Sequence, residues 1–228
     1  MIEHIPETVN NALFYFHSAG RTSAEIRPFL NYLTGKLPNT YMWAGDGMIS
    51  GSPLMRHNLF YGTSLRRYWF TFPMQNPSSR ESFSQNSEAM GAILACSGAY
   101  INQTVDLIKE RFKLPAEKIV LSGFQHGSCA ALAAAMIRKN DPFFYTILFQ
   151  PYILESYYLE YEEIPYQTTV VCIENLLIQQ RTKKWLNIET EKEFQKIGIN
   201  TLGITIENGK EQLDIDMIKE AVKIIRSL

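Results

Sequence analysis

The segment Lys118-Ile119-Val120-Leu121-Ser122-Gly123-Phe124-Gln125-His126-Gly127 joins a strand-like apolar run to an alanine-rich stretch through a turn bracketed by glycines. Ile119 to Leu121 has the apolar, β-branched character of a strand buried on both faces. Gly123 and Gly127 lack the Cβ atoms that would otherwise clash where the chain reverses tightly. Beyond them, Ala130 to Ala135 present a surface shallow enough for a helix to lie close against a sheet. A strand, a sharp turn and a close-packed helix in that order confine the chain to α/β architectures.

The rest of the chain repeats the alternation. Leu13-Phe14-Tyr15-Phe16 reads as a buried strand delivering the loop His17-Ser18-Ala19-Gly20, and a helix is predicted from about Ala24 to Leu33. Thr40 to Ala44 is a further strand, followed by Gly45-Asp46-Gly47 and a Gly-, Ser-, Pro- and Asn-rich loop to about Leu65, long enough to be either functional or a surface excursion. Arg67 to Phe72 is β-like and aromatic, and Pro73 to Gln85 is a polar loop. From Ser87 to about Phe112, Met90, Ile93, Leu94, Ile101, Val105 and Ile108 recur at helical spacing, and Pro115 closes the segment. Helices are predicted over about Gly127 to Arg138, Ile188 to Ile197 and Ile215 to Arg226, and strands at Tyr145 to Phe149, Thr169 to Ile173 and Thr201 to Ile206. The pattern predicts one domain over 1–228 with a mainly parallel central sheet and helices on both faces. Ligands of such sheets bind beyond the carboxyl ends of the strands, where His17, Gln125 and Glu174 all fall.

Composition narrows the partners. Lys and Arg total 22 and Asp and Glu 23, a formal charge of −1, so no global field draws nucleic acid or an anionic membrane. The pairs Arg66-Arg67 and Lys183-Lys184 read as solvated surface. Ala130 to Ile137, the longest apolar helical run, is far short of the roughly 20 residues that span a bilayer. The acidic start Met1 to Glu7 carries no secretory pattern, which makes a cytoplasmic location the expectation. Cys96, Cys129 and Cys172 lie far apart in apolar segments and read as small buried hydrophobes. Four histidines and three cysteines do not cluster at ligand spacing, so neither a metal nor another cofactor is expected.

The strand, turn and helix around residue 125 have the frame of a G-x-S-x-G nucleophile elbow, with glutamine in place of serine. Leu114 to Phe124 is similar to the linker and strand leading to G-F-S-Q-G in the phospholipase/carboxylesterase family of small α/β-hydrolases, which includes the acyl-protein thioesterases. Phe16-His17-Ser18-Ala19-Gly20 resembles that family's H-G-x-G oxyanion loop, with Ser18 for the first glycine. Arg67-Tyr68-Trp69-Phe70 resembles its W-F segment, and Gln150-Pro151-Tyr152 falls where it has a substrate-proximal loop. The resemblance covers nearly the whole chain and implies an α/β-hydrolase fold. It also implies a catalytic acid near Leu177 and a histidine in the loop holding Asn208 and Gly209. None of the three catalytic positions carries the required residue. No aspartate occurs between Asp141 and Asp214, and no histidine follows His126.

Serine esterase chemistry needs a nucleophile, a base that takes its proton and an acid that orients the base. Gln125 is neither acidic nor nucleophilic. His126 reads as a polar residue in the first turn of the elbow helix, Ser128 and Cys129 as packing or capping residues, and His57 as a solvated loop histidine. Glu174 has no downstream histidine to orient. The binding apparatus that the resemblance leaves comprises the backbone donors of Ala19 and His126, the amide of Gln125 and the aromatic wall of Trp69. The chain thus reads as a degenerate esterase or thioesterase homologue that binds a small acyl or carboxylate ligand, or whose Gln125 fills the old cavity. One alternative is an active hydrolase with a relocated site using His57 or His126. Another is a structural subunit presenting Tyr152, Tyr157, Tyr158 and Tyr161 to a partner, with the oligomeric state open and a dimer included.

Overall fold

A computed structural model describes residues 1–50, 67–69, 87–138, 141–151, 168–176, 194–195, 199–207 and 212–227. Its strands are β1 (Ile2–His4), β2 (Asn11–Phe16), β3 (Thr40–Gly45), β4 (Ile49–Ser50), β5 (Arg67–Tyr68), β6 (Ile119–Phe124), β7 (Tyr145–Phe149), β8 (Thr169–Asn175) and β9 (Thr201–Ile206). Its α-helices are α1 (Leu30–Lys36), α2 (Ser87–Phe112), α3 (His126–Ile137) and α4 (Ile215–Ile225). Seven strands form one sheet in the order β1-β3-β2-β6-β7-β8-β9, parallel except for β1, and β4 pairs with β5 separately.

The side-chain alternation of each strand sorts the core into two layers. Phe14, Phe16, Leu121, Leu148, Val170 and Cys172 pack under α2 and α3. Leu13, Tyr15, Val120, Ile147, Val171 and Ile173 pack against α1 and α4 on the opposite face. Helix α3 is buried from His126 to Met136, because α2 crosses its outer side. Gly98 makes that crossing close: a Cβ there would lie 2.9 Å from the carbonyl carbon of Ala133. Asn102 Nδ2 also donates to Ala134 O at 3.0 Å. Helix α4 is amphipathic and starts cleanly, since the Asp214 carboxylate accepts from the backbone N–H groups of Asp216 and Met217, both at 3.0 Å.

These elements confirm the α/β fold class and the mainly parallel sheet, with three differences. The antiparallel edge strand β1 has only three residues, too few to show a period. The helix expected from Ala24 to Leu33 is a 3₁₀ segment, Ser23–Phe29, followed by α1, with Pro28 at the junction where its missing N–H interrupts an α-helical ladder. Cys96 is exposed, which corrects its reading as a buried hydrophobe. It lies off the inward stripe of α2 that contains Leu94, Ser97 and Ile101. Of the predicted helix from 188 to 197, only Phe194 and Gln195 are described, and both are helical. The loops around His57 and from Pro73 to Gln85, and Tyr152, Tyr157, Tyr158 and Tyr161, lie outside the described residues.

Candidate functional site

Strand β6 ends at Phe124 and α3 begins at His126, so Gln125 alone makes the reversal. Its φ of 49° and ψ of −106° form a conformation that side-chain-bearing residues rarely adopt. The turn is held by its neighbours' backbone. Gln125 N–H donates to Phe149 O at 2.8 Å, and Ser128 N–H donates to Gln125 O at 3.0 Å. The Ser128 hydroxyl lies 2.7 Å from Gly123 O and 3.0 Å from Phe149 O, clamping the two sides of the turn. A Cβ on Gly123 would lie 2.3 Å from the carbonyl carbon of Gly127, and one on Gly127 would lie 2.0 Å from Phe16 O. The two glycines thus permit both the reversal and the seating of the elbow helix on the end of β2. The Gln125 residue is half-buried, while His126 beside it is buried.

The loop after β2 is pinned from below. Glu25 accepts from Tyr15 Oη at 2.8 Å and Ser18 N–H at 2.9 Å on one oxygen, and from Ser18 Oγ at 2.7 Å on the other. Ser18, the departure from the H-G-x-G pattern, gives both its donors to this carboxylate. Burial pushes the Tyr15 phenol well above its ordinary value, and the Glu25 charge adds to the effect. Gly20 turns the loop at a φ of 68° and donates its N–H to Arg67 O at 3.0 Å, leaving Ala19 exposed at the tip.

His17 is a structural tie inside this loop. Gly47 N–H donates to its Nε2 at 2.9 Å, which requires the proton to sit on Nδ1, 2.7 Å from the Ser18 carbonyl that accepts it. Trp69 Nε1–H donates to His17 O at 3.1 Å, and the indole meets Phe16 edge to face and the imidazole at a tilt. Burial lowers the pKa of His17, with the Ser18 carbonyl only partly opposing it, so the ring is held neutral.

The structure therefore brings Gln125, His126 and the His17–Gly20 loop to one end of the sheet, joined where Gly127 meets Phe16 and His17. Trp69 is fully buried and supports the loop from within. Glu174 and Asn175 are buried at the end of β8, and Ser128 and Cys129 are buried in α3. Leu177, Asn208, Gly209 and His57 lie outside the described residues. Sequence reasoning missed Glu25, whose tie to Tyr15 and Ser18 depends on a tertiary approach that no local pattern encodes. Chemically, the elbow presents a neutral amide. The hydroxyl of Ser128 and both nitrogens of His17 are committed to bonds that hold the frame, and using either as nucleophile or base would break them.

No helix among the described residues is long and apolar enough to cross a membrane, and none of these residues form a group of three or more His, Cys, Asp or Glu that could hold a metal ion. No protein-family model matches the chain, and no curated protein matches it in sequence. Solved structures do match. The esterase PE8 superposes with a TM-score of 0.72 at 13% identity, covering 99% of this chain and 96% of that one. SOBER1 of Arabidopsis thaliana gives 0.62 at 13% identity, covering 95% and 98%. A phospholipase/carboxylesterase from Dyadobacter fermentans gives 0.58 at 16% identity, covering 99% and 95%. With the strand order, the elbow after β6 and the carboxyl-end loops in place, the chain has the α/β-hydrolase fold.

Proposed function

We propose that the chain is a catalytically degenerate homologue of the phospholipase/carboxylesterase family that binds a small acyl or carboxylate ligand at the elbow without cleaving it. The observation that carries this reading is a complete elbow built around Gln125 in a chain with no histidine after His126. Esterases among the structural neighbours support the ancestry. The absence of aspartate between Asp141 and Asp214 supports the loss of the third catalytic group. The half-buried Gln125 amide, with the backbone N–H groups of Ala19 and His126, would supply donors to a carbonyl or carboxylate oxygen.

Loss of the nucleophile or the base from a serine hydrolase costs about 10⁶ in kcat, so residual hydrolysis should not rise above buffer background. Purified protein assayed with p-nitrophenyl acetate and butyrate should show that background. Gln125→Ser should leave it unchanged, because a serine without a base stays protonated. Turnover abolished by Gln125→Ala would overturn the reading. Turnover lost in His57→Ala instead would establish a relocated site.

A further inference from the structure

The two edges of the main sheet end differently. Strand β1 has only three residues and carries Glu3, whose carboxylate accepts from Tyr41 Oη at 2.8 Å and pairs with Arg111 at 3.1 Å. A short edge that holds a charge discourages a further strand from pairing with it. Strand β9 has neither protection. Thr201-Leu202-Gly203-Ile204-Thr205-Ile206 contains no charge and no proline, and its register with β8 runs without a bulge from Val170 opposite Thr201 to Asn175 opposite Ile206.

The outer side of β9 offers backbone to a partner. Val170 N–H donates to Asn200 O at 2.9 Å, so Asn200 faces β8 and, by the alternation of a strand, Leu202, Ile204 and Ile206 do too. Thr201, Gly203 and Thr205 therefore turn their N–H and C=O groups outward, where no described strand lies beyond β9. Gly203 and Thr205 are exposed. Side chains alternate as well. Leu202, Ile204 and Ile206 share the face that carries α4, where the core covers Ile204 and Ile206 only in part and Leu202 is 49% exposed.

We propose that β9 is the seam of a homodimer, pairing antiparallel with β9 of a second copy so that one sheet runs through both molecules. A two-fold axis through the sheet keeps every side chain on its own face, so opposed residues come from the same alternation. Centring the axis on Ile204 sets Ile204 against itself, Leu202 against Ile206 and Gly203 against Thr205. The outward groups of Gly203 and Thr205 then bond across the seam, and an unbroken aliphatic row forms on the α4 face. Centring it on Gly203 would instead set Ile206 against the polar Asn200. Any charge near such a seam meets its own image and repels it, and β9 has none to place there, which makes a second copy the occupant that fits. The seam is three strands from the elbow strand β6 and does not rest on the reading of Gln125. A contact from Leu202 to Ile206 is far smaller than the roughly 20–30 residues a side of a stable interface, so the dimer forms reversibly and at high protein concentration.

Sedimentation equilibrium from about 5 to 500 µM tests this, and the parent should pass from monomer to dimer mass over that range. Leu202→Lys, at a position exposed in the monomer, should weaken association at least tenfold. Leu107→Lys should leave it unchanged, although Leu107 on α2 is more exposed, at 66%. Unchanged far-ultraviolet circular dichroism would show that both variants fold. The register is read by oxidative cross-linking in a Cys96→Ser background, which removes the exposed thiol. Ile204→Cys meets its own image at about 4.5 Å between Cα atoms, within reach of a disulfide, whereas Thr205→Cys lies a diagonal step from its image. Oxidation should link the first and not the second. The proposal is overturned if the parent stays monomeric throughout, if Leu202→Lys associates like the parent, if Leu107→Lys weakens association as much, or if Ile204→Cys links no better than Thr205→Cys.

Discussion

Replacing glycine by alanine at two helical positions, Gly127 and Gly35, should move stability in opposite directions. At Gly127 the added Cβ would lie 2.0 Å from Phe16 O, 2.5 Å from the Phe16 carbonyl carbon and 2.7 Å from His17 O. A carbon–oxygen contact settles at about 3.3 Å or more, so the closest approach is short by roughly 1.3 Å. The atoms in the way are backbone and cannot swing aside. Phe16 pairs with Gly45 on one side and Gly123 on the other, so retreat would break the end of two ladders at once. The cost belongs at the top of the range for overpacking, about 3 kcal/mol, against which helix propensity returns about 1 kcal/mol. The net loss is about 2 kcal/mol or more. At Gly35, exposed within α1, a Cβ would meet nothing within 4 Å and only the propensity gain remains, about 0.5 kcal/mol so near the helix end. Urea unfolding followed by circular dichroism at constant m would read both as midpoint shifts. In thermal scans, Gly127→Ala should lose about 4–8 °C while Gly35→Ala gains about 1–2 °C. A Gly127→Ala protein as stable as its parent would refute the claim that the elbow helix is seated by backbone contact with β2.

Strain at the elbow is testable by comparing two substitutions at one position. Gln125→Gly should be more stable than Gln125→Ala by about 1–2 kcal/mol, because both remove the side chain and only glycine relaxes a φ of 49°. Equal unfolding midpoints would mean the turn carries no strain. Protonation supplies a second test. His17 is neutral when folded and burial depresses its pKa, so the unfolded chain takes up its proton first as pH falls below the ordinary value of 6.5. Its contribution to stability is intact above that value and declines toward the folded-state pKa, by at most about 1.4 kcal/mol per pH unit. Asp46 and Asp141 act in a separate window. Burial raises both carboxyls, but hydrogen bonds and ion pairs lower them further, so their contribution is lost only below about 3.8. Urea midpoints between pH 7.5 and 5 should therefore fall in the parent and fall less steeply in His17→Gln, and identical slopes would remove His17 from the account.

The parts of the fold that were legible in the sequence are those set by local pattern. Strands β7 and β9 and helix α2 follow from apolar period and from the turn residues that bound them, and the ranges agree to within a residue. What was not legible depends on contacts between distant segments. Ser18 stands for the first glycine of the H-G-x-G loop it resembles, and its two donors meet Glu25, which nothing near Glu25 in the chain announces. His17 looked available at a strand end until Gly47 and Trp69 closed around it. Cys96 sits in an apolar run that reads as core, because the run's average hides which residues face outward.

The elbow itself is no evidence of chemistry, and the bonds that hold it show why. Gln125 is fixed through its own N–H and carbonyl, by Phe149 O and Ser128 N–H, and through a hydroxyl three residues on. No bond in that set involves the side chain at position 125. The glycines act in the same way, by admitting the backbone of β2 and α3 wherever the turn is made. Any residue able to tolerate the conformation would be presented at the same point, serine and glutamine alike. The frame can therefore persist after its reaction is lost, and likeness of fold to esterases carries no information about turnover. That information lies in the side chains the frame does not need for its own stability: a nucleophile at 125, a histidine beyond β9 and an acid beyond β8. Selection for folding alone preserves Gly123, Gly127 and Ser128. Only selection for hydrolysis would preserve the other three.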